Sequence, residues 1–295
     1  MKKFILPLFA AALLASCENT VTDSAPDNID GRIDLRPGIE AFTRSPHLNE
    51  DGSGTFTDGD VFSLTISSGG TYVEMKDYTM PSTPLHWEDL KLPEGTKEVS
   101  FSGCYPKHDE DMGSTFVFNI NHAEGEEKDL LLAPAVKTNI GSASPIILPF
   151  GHAMHKLVVK YRSDDYTEEY LKTIQTTPHG AAECTIDLVT GSVFGLTTGT
   201  LENYGTQTGK EISVLLVPQA KNLVSLQVCI DGKTRIFKLS ELPQTASEGQ
   251  SIERLEGGKQ LVVELTVNKS GITVSGISIQ GWETQGSVSG SVTIG

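Results

Sequence analysis

Long apolar runs are scarce in this chain of 295 residues. After Phe4–Leu14 none approaches the roughly 18 to 20 residues that a membrane-spanning helix requires, and Phe4–Leu14 is itself too short. Basic residues are also in deficit. Lys and Arg number 23 against 38 Asp and Glu, a formal charge of −15 that becomes more negative when residues 1–16, with Lys2 and Lys3 and no acid, are removed. Such a surface repels phosphate backbones, so nucleic acid is excluded as a partner. No G-x-S-x-G elbow, H-E-x-x-H helix, P-loop or dinucleotide fingerprint occurs, and the acid pair Glu168-Glu169 sits in a short surface helix. An enzyme is not expected, nor a cofactor, nor a catalytic metal. Cysteines number four; apart from Cys17 they are Cys104, Cys184 and Cys229, an odd set among strand-type neighbours. Buried free thiols are one reading and a single disulfide with one left over is the other, and the spacing selects no pairing.

What is present begins with a leader. Lys2-Lys3, the apolar Phe4–Leu14 and the small residues Ala15 and Ser16 precede Cys17, the pattern of a lipoprotein signal. Cleavage between Ser16 and Cys17 would leave a cysteine whose thiol carries diacylglycerol and, with the N-terminal acyl group, palmitate-type chains that hold the protein to membrane lipid. Residues 17–30 are polar and aperiodic, a tether. An N-terminal β-sandwich is expected over 31–144 and a C-terminal one over 145–295. Ile33, Leu35, Ile39 and Ala41 form a strand interrupted at Pro37-Gly38, followed by an exposed Arg44 before Ser45-Pro46, a segment suited to a trypsin-like protease. Asn49–Asp60 carries oxygen ligands at calcium-loop spacing, but Pro46 replaces an entering helix and Asp60 replaces the usual glutamate, so an ordinary polar turn is preferred. His152 and His155 lie on opposite faces if the segment is a strand, which defeats a shared metal.

The remaining chain repeats short alternating strands with turn signals every dozen or so residues. Examples are Cys184–Leu188, Ile212–Val217, Leu223–Ile230 turning at Asp231-Gly232, and Leu261–Val267 turning into Ile272–Val274. Only Tyr166–Ile174 reads as helical. The fold class is therefore all-β, as two antiparallel sandwiches.

In this order the lipobox, the arginine loop with Phe56-Thr57-Asp58-Gly59-Asp60, Cys104-Tyr105-Pro106, Asp129–Ala133, Phe150–Leu157, Val217-Pro218-Gln219 and Ile279-Gln280-Gly281-Trp282 resemble the fimbrillin family. The family comprises pilins and related lipoproteins of anaerobic Gram-negative bacteria. The resemblance implies two tandem transthyretin-like (Greek-key) sandwiches and a surface-exposed lipoprotein of the outer membrane and fimbrium. It implies maturation at Arg44-Ser45 and other fimbrial subunits as partners. The tail 283–295 alternates Val288, Val292 and Ile294 with serine and threonine. It is either the last strand of its own sandwich or a strand donated to a neighbour, and the resemblance favours donation. The alternative function is a monomeric surface lipoprotein binding host glycans or proteins, which calls for exposed aromatics; Tyr72, Tyr78, Trp87, Tyr105 and Tyr204 are the candidates, and most of them read as core or packing residues.

Overall fold

Alternating apolar residues make strands of most of the chain, and the computed structural model describes residues 30–39, 56–70, 72–108, 113–196, 201–242, 252–269 and 271–278. The first seven strands are β1 (Leu35–Ile39), β2 (Val61–Ser68), β3 (Tyr72–Thr79), β4 (Glu98–Tyr105), β5 (Thr115–Asn119), β6 (Leu131–Asn139) and β7 (Ile146–His152). Then come β8 (His155–Arg162), a helix α1 (Glu168–Leu171), β9 (Gln175–Gly180), β10 (Glu183–Asp187), β11 (Ser192–Leu196), β12 (Glu202–Asn203), β13 (Gln207–Thr208) and β14 (Glu211–Leu216). The chain continues through β15 (Gln219–Ala220), β16 (Ser225–Ile230), β17 (Lys233–Lys238), β18 (Arg254–Leu255), β19 (Gln260–Asn268) and β20 (Gly271–Ser278). The helix falls inside the segment that reads as helical, and its cap is Thr167, whose hydroxyl accepts from Tyr170 N at 3.3 Å. Asp231 and Gly232 both adopt positive φ in the β16–β17 turn, as a two-residue hairpin needs.

The all-β sandwich expectation holds. A six-stranded sheet of order β1-β7-β6-β4-β2-β3 is covered on one face by a three-stranded sheet, β11-β10-β5, through Cys104, Leu130 and Leu132 below and Phe118, Cys184 and Ile186 above. A second pair of layers sets β14-β8-β19-β20 against β9, β16 and β17, with Leu157, Val159, Leu261 and Val263 facing Leu226, Val228 and Phe237. Two pairings depart from the antiparallel expectation: β1–β7 and β8–β19 are parallel.

The boundary expected at residue 144 does not coincide with a change of sheet. β7 belongs to the first sheet because Ile146, Leu148 and Phe150 alternate into its core, and the chain passes to the four-stranded sheet between His152 and His155. The polar stretch before it is the end of β6 and its turn. The layers also mix the two parts of the chain, since β10 pairs with β5 from Glu183↔Asn119 to Asp187↔Thr115. That seam is reinforced by the Ser102 hydroxyl donating to Leu188 O at 2.5 Å and by Ala135 N donating to Thr190 O at 3.1 Å. The second of these bonds lies where β6 continues past Pro134. The β4–β6 register shifts between Phe101 and Gly103, and the freed Ala135 N–H is taken up by the β10–β11 turn. At that turn Gly191, at φ +61, brings the backbone so close to Ala133 that a Cβ would lie 2.0 Å from its carbonyl oxygen.

Packing around Phe150 shows a large residue matched to small ones. Its ring lies edge-on to Phe56 and Phe62, at 5.0 Å from each, and over Gly103, where an added Cβ would stand 2.4 Å from the ring. Gly103→Ala is therefore expected to cost about 1–3 kcal/mol in urea denaturation, by overpacking, whereas Gly151→Ala, with open space at its Cβ, stays close to the parent. Equal effects of the two would show that Phe150 has room to move.

His155 is fully buried, with Nδ1 donating to Glu256 O at 2.9 Å and Nε2 without a partner, and burial lowers its pKa from 6.5 to about 4. The unfolded chain then binds a proton that the folded one refuses, so this contribution is complete above pH 6.5 and is lost as pH falls toward 4, by about 3 kcal/mol at most. His155→Gln keeps an N–H for Glu256 O without titrating. The difference between parent and variant stability should change with pH across that window, and a pH-independent difference would contradict the assignment.

Candidate functional site at the edge of the first sheet

The residues singled out for processing and exchange, Ser16, Cys17, Arg44, Ser45, Val288, Val292 and Ile294, lie outside the described residues. What the structure does place is the strand that precedes Arg44. β1 occupies the edge of the six-stranded sheet, in parallel register with β7 from Leu35↔Ile146 to Ile39↔Phe150. Ile146 N donates to Asp34 O at 2.8 Å, so by alternation the N–H groups of Leu148 and Phe150 also face β1. Pro37 and Pro149 fall at positions that face away from this ladder, where a missing N–H costs no bond between the two strands. Upstream of β1, Ile33 N donates to Leu85 O at 2.8 Å, Trp87 N donates to Gly31 O at 2.9 Å, and Arg32 bridges His86. The edge segment is thus held between β7 and the Leu85–Trp87 turn.

Its apolar side chains enter the core. Ile33 and Leu35 are buried and Ile39 is partly buried, in one cluster with Leu85, Trp87, Ile146, Leu148 and Phe150. Each fully buried aliphatic side chain contributes about 1.5–3 kcal/mol. In the ladder β6 pairs with β7 only at Leu131↔His152 and Leu132↔Gly151, although the two strands also lie side by side. Between Ile146 and Phe150, β1 is the ladder partner that the register gives β7. Arg36 lies within β1, its side chain exposed and paired with Asp34 at 2.7 Å. Removing the segment would leave a groove floored by Ile146, Leu148, Phe150 and Trp87 beside unpaired backbone.

Other expected groups are placed plainly. Asp60 accepts from Thr57 N at 2.6 Å and from Thr57 Oγ1 at 3.0 Å, closing a turn with its carboxylate. His152 and His155 enter different sheets, with His152 Nδ1 2.5 Å from Asp129 and His155 on the Glu256 carbonyl. Cys104, Cys184 and Cys229 are free; burial pushes the Cys104 and Cys184 thiols up to about 12, which removes them as nucleophiles at neutral pH. Tyr78, Trp87 and Tyr105 are buried, while Tyr72 donates to Glu74 and Tyr204 to Ala181 O. Tyr72 and Tyr204 are partly buried and pack against the core clusters. Among the described residues no group of three or more His, Cys, Asp or Glu is placed to hold a metal ion.

A residue that reasoning from sequence passed over is Gln219. Fully buried, it accepts from Ala181 N at 2.9 Å and donates to Ala181 O and Val217 O, both at 3.1 Å, so one amide stands in for a missing strand partner. Val217-Pro218-Gln219 drew notice as a motif, but nothing in the sequence says which backbone the amide meets.

These features define an all-β sandwich protein whose prominent site is an edge strand and its groove. The chain belongs to the fimbrillin-like family, whose model matches residues 43–282. No curated protein matches it. Among solved structures it is similar to a candidate cell adhesion protein of Bacteroides uniformis, with a TM-score of 0.61, 17% identity and coverage of 86% of this chain and 99% of that one. A candidate cell adhesion protein of Bacteroides ovatus has a TM-score of 0.51 at 14% identity, covering 89% and 99%. A fimbrial assembly protein of Parabacteroides distasonis has a TM-score of 0.51 at 7% identity, covering 88% and 99%. At these identities the likeness is one of fold.

The ladder makes a local prediction. Leu35→Asp should undock β1 and lower hydrogen-exchange protection at Ile146, Leu148 and Phe150, leaving Val159 and Val263 in the second pair of layers protected. Protection lost everywhere, or nowhere, would mean that β7 does not depend on β1 in this way.

Proposed function

We propose that this fimbrillin-like protein is a structural or accessory subunit of cell-surface fimbriae. In this reading it is exported as a lipoprotein, cut between Ser16 and Cys17 and anchored to outer-membrane lipid through Cys17. Assembly follows cleavage between Arg44 and Ser45, which releases the strand before it, and a strand from a neighbouring subunit then fills the groove. The tail carrying Val288, Val292 and Ile294 is the donor. The role is mechanical and adhesive, without catalysis or cofactor.

The observation that carries the reading is that β7 relies on β1 from Ile146 to Phe150, so loss of β1 exposes backbone and core together. Cut chains are driven to refill that position, and head-to-tail refilling extends as an open filament rather than closing on itself. The family match over residues 43–282 supports the fimbrial part of this reading.

The test combines two variants in a fimbriated host. Arg44→Ala should leave full-length protein that does not polymerise, and deletion of 287–295 should give folded, exported monomer without the heat-resistant ladders of the parent. N-terminal sequencing of assembled subunits should begin at Ser45. Ladders formed by the truncated chain would rule out the tail as donor, and assembled subunits still beginning at Cys17 would rule out cleavage as the trigger.

A further inference from the structure

A cavity of about 320 Å³ opens between the two layers of the first sandwich, away from β1. Its floor is Cys104, Phe118 and Leu130, and its walls carry Phe116 and His108 on one side and Lys107 and Glu127 at the mouth. His108 stacks on Phe116 with ring centroids 3.6 Å apart and planes 13° from parallel. The wall is held in place by the sheet beneath it. Buried Ser63 accepts from His108 N at 2.8 Å and donates to His108 O at 3.1 Å, and Lys107 pairs with Asp77 at 2.7 Å. Residues 106–108 are thereby fixed to β2 and β3.

We infer that this cavity binds one neutral sugar unit, with a ring face against the His108–Phe116 stack and hydroxyls on Glu127 and Lys107. The lining chemistry selects this class. A purely apolar ligand would strip water from a carboxylate and an ammonium without replacing it. An anion would face Glu127 within a chain of net charge −15, and the Lys107 ammonium that could offset this is already paired with Asp77. A pyranose presents C–H groups on its faces and hydroxyls around its rim, so it suits an aromatic wall edged by one acceptor and one donor group. The volume lies at the lower end for small-ligand sites, which favours a single residue of a chain over a long oligosaccharide. The inference is independent of the assembly reading, because none of these residues touches the β1 groove.

Saturation-transfer NMR on the purified protein tests it, with the methyl glycosides of glucose, galactose and N-acetylglucosamine as probes and acetate and tetramethylammonium as charged controls. Transfer is expected to at least one glycoside and to neither control. Glu127→Ala, at an exposed position, should weaken that glycoside about tenfold. His108→Ala, with folding checked by circular dichroism, should abolish transfer to the ring protons. No transfer to any of the three glycosides, transfer undiminished in Glu127→Ala, or displacement of the glycoside by either charged control would each overturn the proposal.

Discussion

The parallel ladder between β1 and β7 is the constraint around which the first sandwich is arranged. Backbone amides taken from water need partners, and β7 pairs in register with β6 only at its last residues. Its earlier residues therefore depend on a strand that is sequence-distant, at the sheet edge, and linked onward to the Arg44 segment. The same strand inserts Ile33 and Leu35 beside Trp87 and Phe150, so hydrogen bonding and burial fail together if it departs. Coupling of that kind makes an edge position either closed or strongly attractive to another strand.

The other layers of the molecule have contacts that do not pass through β1. The three-stranded layer takes β5 from one part of the chain and β10 and β11 from another, and the β10–β11 turn contacts β6 through backbone hydrogen bonds. These contacts lie on the opposite face of the six-stranded sheet from the cluster that holds Ile33 and Leu35. A chain that loses its first strand keeps this covering layer, and the second pair of layers has a core of its own. Gln219 extends the same economy, closing a gap in backbone pairing with a side-chain amide where no strand is available.

Much of this architecture was legible in the residues and some was not. The hairpin at Asp231-Gly232 and a helix within Tyr166–Ile174 follow from turn chemistry and composition, which act over a few residues. The placement of β7 in the first sheet, the two parallel pairings and the β5–β10 seam depend on which strands meet, and local pattern is the same for any partner. Tyr78, Trp87 and Tyr105 illustrate the limit. Each is a large aromatic for which a core place is the expected one, and only packing decided that its neighbour is Phe62, Phe101 or Phe56.

By itself the sequence determined an all-β chain, an acidic surface unsuited to nucleic acid, and a strand ahead of an arginine loop, because charge and side-chain period are properties of the residues alone. Tertiary structure decided that this strand lies parallel to β7, that β7 has little other pairing there, and that His108 and Phe116 stack over a cavity. Those are relations between segments far apart in the chain. The physical reason is that a backbone amide bonds equally well to any strand that reaches it, so the identity of its partner is settled only when the layers pack.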